Sequence, residues 1–83
     1  MIGKMTLLLE MFQTSFSEDE LDDVWDFIQV NENKLALETI CAIFFEMKKP
    51  ISREQLDAIG KIGQVMTVDP YKWERLESQI LKD

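Results

Sequence analysis

The sequence predicts an all-α fold, a compact bundle of four to five short helices in a single domain. Three observations carry that expectation: helix starts written in local capping chemistry, apolar residues recurring every three or four positions, and no stretch with the period of two that a strand requires. The 83 residues, 46% of them hydrophobic, suffice for one core and leave no room for a second domain.

Helices are expected over residues 3–14, 18–29, 34–49, 53–66 and 70–82. The first contains the run Met5, Thr6, Leu7, Leu8, Leu9, interrupted by Glu10 and followed by no small-residue cleavage motif, so it reads as a helix and not a signal peptide. The second opens on Ser17-Glu18-Asp19-Glu20, a capping box in which Ser17 and Glu20 satisfy each other's free backbone N–H, with Phe16 and Leu21 placed as a hydrophobic staple. Asn31-Glu32-Asn33 reads as a short turn, with Asn31 or Asn33 capping the third helix. Pro50 stops that helix, and Ser52-Arg53-Glu54-Gln55 repeats the capping box, stapled by Ile51 and Leu56. Asp69-Pro70 starts the last helix: Asp69 caps, Pro70 takes the first position, where a missing N–H costs nothing, and Val68 can staple Trp73.

At ~100° per residue each helix acquires a dry side. On the second, Leu21, Val24, Trp25 and Ile28 share a stripe opposite Asp19, Asp22, Asp23 and Asp26. Phe27 falls outside that stripe beside the acids, where it is either an interface anchor within a charged rim or a packing residue against a neighbouring helix. Apolar residues of the third helix, Leu37, Ile40, Cys41, Phe44, Phe45 and Met47 with Leu35, Ala42 and Ile43, nearly encircle it and make it central; Glu38, Thr39 and Glu46 leave a polar seam. The fourth helix buries Leu56, Ile59, Ile62 and Met66, and Gly60 and Gly63 beside that stripe imply either close approach of another backbone or a kink. The last sets Trp73, Leu76 and Ile80 on one stripe, with Tyr71 and Lys72 on the other side. The methionines Met1, Met5, Met11, Met47 and Met66 read as core gap-fillers.

Charge is polar along the chain. Residues 1–46 carry ten acids against two bases, net −8, and residues 47–83 six against seven, net +1, giving the chain's −7. Glu18, Asp19, Glu20, Asp22, Asp23 and Asp26 crowd the second helix with no base among them. The first three complement the helix N-terminus. Asp22, Asp23 and Asp26 lie beyond the first turn, with no Lys or Arg four residues on to relieve them, so their repulsion points to a partner that neutralises it. Such a field repels nucleic acid and anionic membrane and steers a basic protein to one face. Lys48, Lys49 and Arg53, the only basic group, suit a helix end and imply no nucleic-acid site.

Catalysis is disfavoured. There is no histidine, which removes the usual nucleophile activation, general-base and zinc chemistry together. The aspartates lack the glycine turn and alternating spacing of a calcium loop, and a solvated helix face gives no raised carboxylate for acid–base work. No metal or cofactor is expected. No apolar run reaches the ~20 residues of a membrane span. Lone Cys41 sits in an apolar run as a core residue, and with no disulfide required a cytoplasmic location is expected.

Asp26-Phe27-Ile28 through Glu32, Leu35-Ala36-Leu37-Glu38, Pro50-Ile51-Ser52, and Tyr71-Lys72-Trp73 with Leu76, Gln79 and Ile80 resemble the MafI/CdiI-type immunity proteins, small helical partners of toxins in bacterial contact-dependent and secreted competition systems. The resemblance spans about residues 22–82 and excludes the first helix. It implies a cognate toxin as partner, commonly a nuclease and often an RNase of the EndoU type, and it brings no catalytic motif. A phosphate-holding toxin groove must be basic, which agrees with the charge argument. The expectation is a monomer, or a 1:1 heterodimer with the toxin's C-terminal nuclease domain, contacting it through Asp22, Asp23, Asp26 and Phe27, with Asp19, Glu38 and Glu46 at the rim. The alternatives are an acidic adaptor that sequesters a basic regulator, a structural homodimer and, last, a small metal-dependent enzyme.

Overall fold

A computed structural model describes residues 2–80. It contains α1 (Ile2–Met11), α2 (Glu18–Gln29), α3 (Asn33–Glu46), α4 (Arg53–Val65) and α5 (Tyr71–Glu74), followed by a 3-10 helix, Arg75–Gln79. The all-α bundle is as the sequence predicts. Buried residues from every α-helix join one core, with α3 in the middle, where it meets α1, α2, α4, α5 and the 3-10 helix.

Both capping boxes form. The Ser17 N–H donates to Glu20 Oε1 at 2.9 Å and the Glu20 N–H to Ser17 Oγ at 3.2 Å; the Ser52 and Gln55 pair does the same at 2.9 and 3.0 Å. Asp69 Oδ1 accepts the Tyr71 N–H at 3.0 Å, so the carboxylate satisfies the start of α5. Neither asparagine of the first turn caps α3: Glu32 precedes the helix without a side-chain bond, and buried Asn33 instead donates its Nδ2–H to Asn31 Oδ1 at 3.1 Å.

Helix ends are set by a device the sequence hides. Asn31, Lys48 and Thr67, each just past a helix, adopt φ of 63°, 50° and 55°. In each case the next residue's N–H reaches back five positions, closing a loop of six residues: Glu32 to Phe27 O at 2.8 Å, Lys49 to Phe44 O at 3.0 Å and Val68 to Gly63 O at 2.9 Å. These are Schellman closures, usually built on glycine because a left-handed residue with a Cβ is strained. Thr67, β-branched, is the most strained by type. Thr67→Gly is expected to stabilise the fold by about 1 kcal/mol and raise Tm by about 5 °C, checked by thermal melting.

Helix lengths differ from expectation at three places. α1 stops at Met11, and residues 12–15 form turns that seat Phe12 and Phe16 against Phe44, with ring centroids 5.0 to 5.4 Å apart. α3 ends at Glu46 because Lys48 turns left-handed. The expected last helix is one α-turn and then 3-10, since Gln79 is committed elsewhere: its Nε2–H donates to Phe44 O at 2.7 Å and Lys49 O at 2.8 Å, and its carbonyl accepts the Ile51 N–H at 3.1 Å. Continued α geometry would carry the chain away from Ile51. Positions 81 and 82 of the expected helix, and Met1, lie outside the described residues.

Packing also departs from the stripes. Leu35, Phe45 and Met47 are exposed, Ile62, Met11 and Met66 are half-buried, and Met5 alone of the described methionines fills the core. The approach to Gly60 and Gly63 is by the Trp73 indole and not by backbone. Cys41 is buried as expected, and burial pushes its thiol up to about 12. It is expected to resist Ellman's reagent at pH 8 in the native protein and to react fully in denaturant; prompt native reaction would contradict the packing.

Candidate functional site

The capping box that starts α2 sets its rotation, and burial of Val24 and Ile28 turns the opposite side outward. Asp19, Asp22, Asp23 and Asp26 are all exposed there. Among the described residues the ion pairs are Lys49 with Glu20 at 3.2 Å and Arg53 with Glu77 at 3.0 Å, so none of the four aspartates has a basic partner. The structure therefore assembles an unneutralised acidic stripe along one helix.

Glu20 differs from its neighbours. The Ser17 N–H holds its carboxyl below the ordinary 4.5; burial opposes that shift, and Lys49 adds to it. A carboxyl whose folded value is depressed contributes stability above its unfolded pKa and loses it as pH falls through the folded value. Glu20→Gln keeps the capping geometry and removes the charge. The stability gap between the native protein and this variant, measured by urea unfolding, is expected to be full at neutral pH and to close below pH 4.5.

Of the two aromatics of α2 that border the acids, Trp25 is the more exposed. Phe27 is half-buried and packs against the core, whereas Trp25, expected inside, is 36% exposed. Trp25 lines an open groove of about 320 Å³ between α1 and α2 with Leu9, Glu10, Leu21 and Asp22. The apolar arc of α2 from Phe27 to Trp25 spans about 160°, more than its neighbours cover, and the rotation chosen leaves Trp25 at the edge.

The polar seam of α3 does not act as one unit. Glu38 is half-buried, while Glu46 lies about 80° further round the helix and is exposed. α5 and the 3-10 helix pack against another flank of α3. That flank holds a cluster the sequence did not suggest: the Arg75 guanidinium lies 3.9 Å from the Phe45 ring centre and 5.5 Å from that of Tyr71. The partners are thirty residues apart in sequence or on a short helix, so no local signal joins them. Between α1 and α4 a second groove of about 400 Å³ is lined by Leu7, Leu8, Met11, Ala58 and Ile62, with Leu7 65% exposed.

Among the described residues no three His, Cys, Asp or Glu side chains converge on a metal position, and no helix is long and apolar enough to cross a membrane. Comparison with family models, with curated proteins and with solved structures finds no match.

Proposed function

We propose that this protein is an immunity protein that binds a cognate basic nuclease toxin, an RNase being the class the resemblance implies, and neutralises it by binding and not by catalysis. One observation carries the reading: Asp19, Asp22, Asp23 and Asp26 are exposed on one face without a basic partner among the described residues. Aspartates three and four apart on a helix repel one another, and a basic partner turns that local cost into attraction. A negative face also speeds encounter and excludes nucleic acid from a groove built to hold phosphate. Trp25, the more exposed aromatic of α2, joins Phe27 as an anchor, because an accessible aromatic can fill a partner's pocket. Exposed Glu46 and half-buried Glu38 are the proposed rim members on α3.

The test is capture of partners by tagged protein from the source organism at low and at high salt, joined to a protection assay. Recovery of one basic toxin C-terminal nuclease domain, released by salt, and survival of cells expressing both proteins are expected. Recovery of a DNA-binding regulator with no protection would replace the immunity reading with that of an acidic adaptor.

A further inference from the structure

On one side of α2 the chain already holds a cation of its own. Lys49 Nζ stands 3.2 Å from a Glu20 carboxylate oxygen and 5.8 Å from the centre of the Phe16 ring, so a carboxylate and an aromatic face share one ammonium. The groove on the α1 side presents the same two kinds of group: the Trp25 indole with the carboxylates of Asp22 and Glu10, one from each helix. Neither carboxylate is ion-paired with a described residue. Leu9 and Leu21 supply apolar lining.

Resting on the reading of α2 as the partner-binding face, we propose that this groove receives a single arginine side chain of the basic partner. The guanidinium stacks on the Trp25 indole between Asp22 and Glu10, and its methylene stem lies along Leu9 and Leu21. Indole is the strongest cation–π acceptor among side chains. A planar guanidinium can stack while its fork of N–H donors serves two carboxylates, and it is more weakly hydrated than an ammonium. Lysine can satisfy the charge but not the stacking. The volume of about 320 Å³ admits one long side chain and is too small for a helix some 10 Å across. Arginine stacking already occurs within this fold, at Arg75 on Phe45.

The test uses the whole ¹⁵N-labelled protein, whose two tryptophans give two indole N–H signals, titrated at low salt with N-acetyl-arginine amide and with N-acetyl-lysine amide. The Trp25 signal is expected to move with the arginine probe and to need about five- to tenfold more of the lysine probe for the same shift. The signal of Trp73, 7% exposed, should stay in place and report an intact core. Asp22→Asn, an exposed and conservative change, should weaken the arginine response several-fold with the Trp73 signal unchanged. Equal response to the two probes, no movement of the Trp25 signal, or shifts confined to the backbone of Asp19, Asp23 and Asp26 would overturn the arginine groove. The wider acidic-face reading fails on a different result, namely unaltered toxin capture by a protein carrying Asp22→Lys and Asp26→Lys.

Discussion

Replacing Gly63 with alanine is expected to cost about 3 kcal/mol of folding stability, a large share of what a small domain possesses. A Cβ built at Gly63 falls 2.2, 2.7 and 2.8 Å from three atoms of the Trp73 six-membered ring, closer than carbon atoms tolerate. That ring is rigid and only 7% exposed, so relief requires α5 or α4 to move. Gain in helix propensity, at most ~1 kcal/mol, does not compensate. Gly60 is a milder case, its Cβ falling 3.2 Å from Trp73 Nε1, and Gly3 meets nothing within 4 Å. Urea unfolding should therefore rank the alanine variants Gly3, Gly60, Gly63 in order of increasing damage. Trp73→Phe removes the clashing ring, so Gly63→Ala should cost much less in that background, with a coupling of about 1–3 kcal/mol. A native-like Gly63→Ala would mean that Trp73 is not seated against α4.

The second large effect concerns binding. Asp22→Lys with Asp26→Lys is expected to weaken the proposed complex with a basic toxin by about 100-fold or more at low salt and to flatten its salt dependence. The fold should not suffer. Both positions are exposed, and lysines among Asp19 and Asp23 replace repulsion with attraction worth a few tenths of a kcal/mol. A control with the same change of net charge, Glu54→Lys with Asp57→Lys on α4, should lose far less, because steering and contact depend on where charge sits. Titration calorimetry across a salt series measures both. Equal losses from the two double variants would show that net charge matters and that the α2 stripe is not the interface.

Helix starts and the wet face of α2 were legible in the sequence because their causes are local. A capping box closes over three residues, and Ser17 and Ser52 each find their partner there whatever the rest of the chain does. The outward turn of Asp19, Asp22, Asp23 and Asp26 follows from the same locality, since charged residues remain in water unless paired. Centrality of α3 and burial of Cys41 follow from an apolar surface too wide to leave wet.

Tertiary structure decided what local pattern leaves degenerate. α2 has an apolar arc wider than its contacts, so its packing against α1 and α3, and not its periodicity, put Phe27 against the core and Trp25 in the groove. The left-handed exits at Lys48 and Thr67 carry no glycine to announce them; they persist because the six-residue closures and the burial of Val68 outweigh the strain. Gln79 breaks the regularity of the last helix through bonds to residues thirty or more positions away. By itself the sequence determined which segments coil and which side of α2 is charged, because those depend on neighbours along the chain. Which aromatic beside that charge is the more exposed depends on neighbours in space, and only the packed structure supplies them.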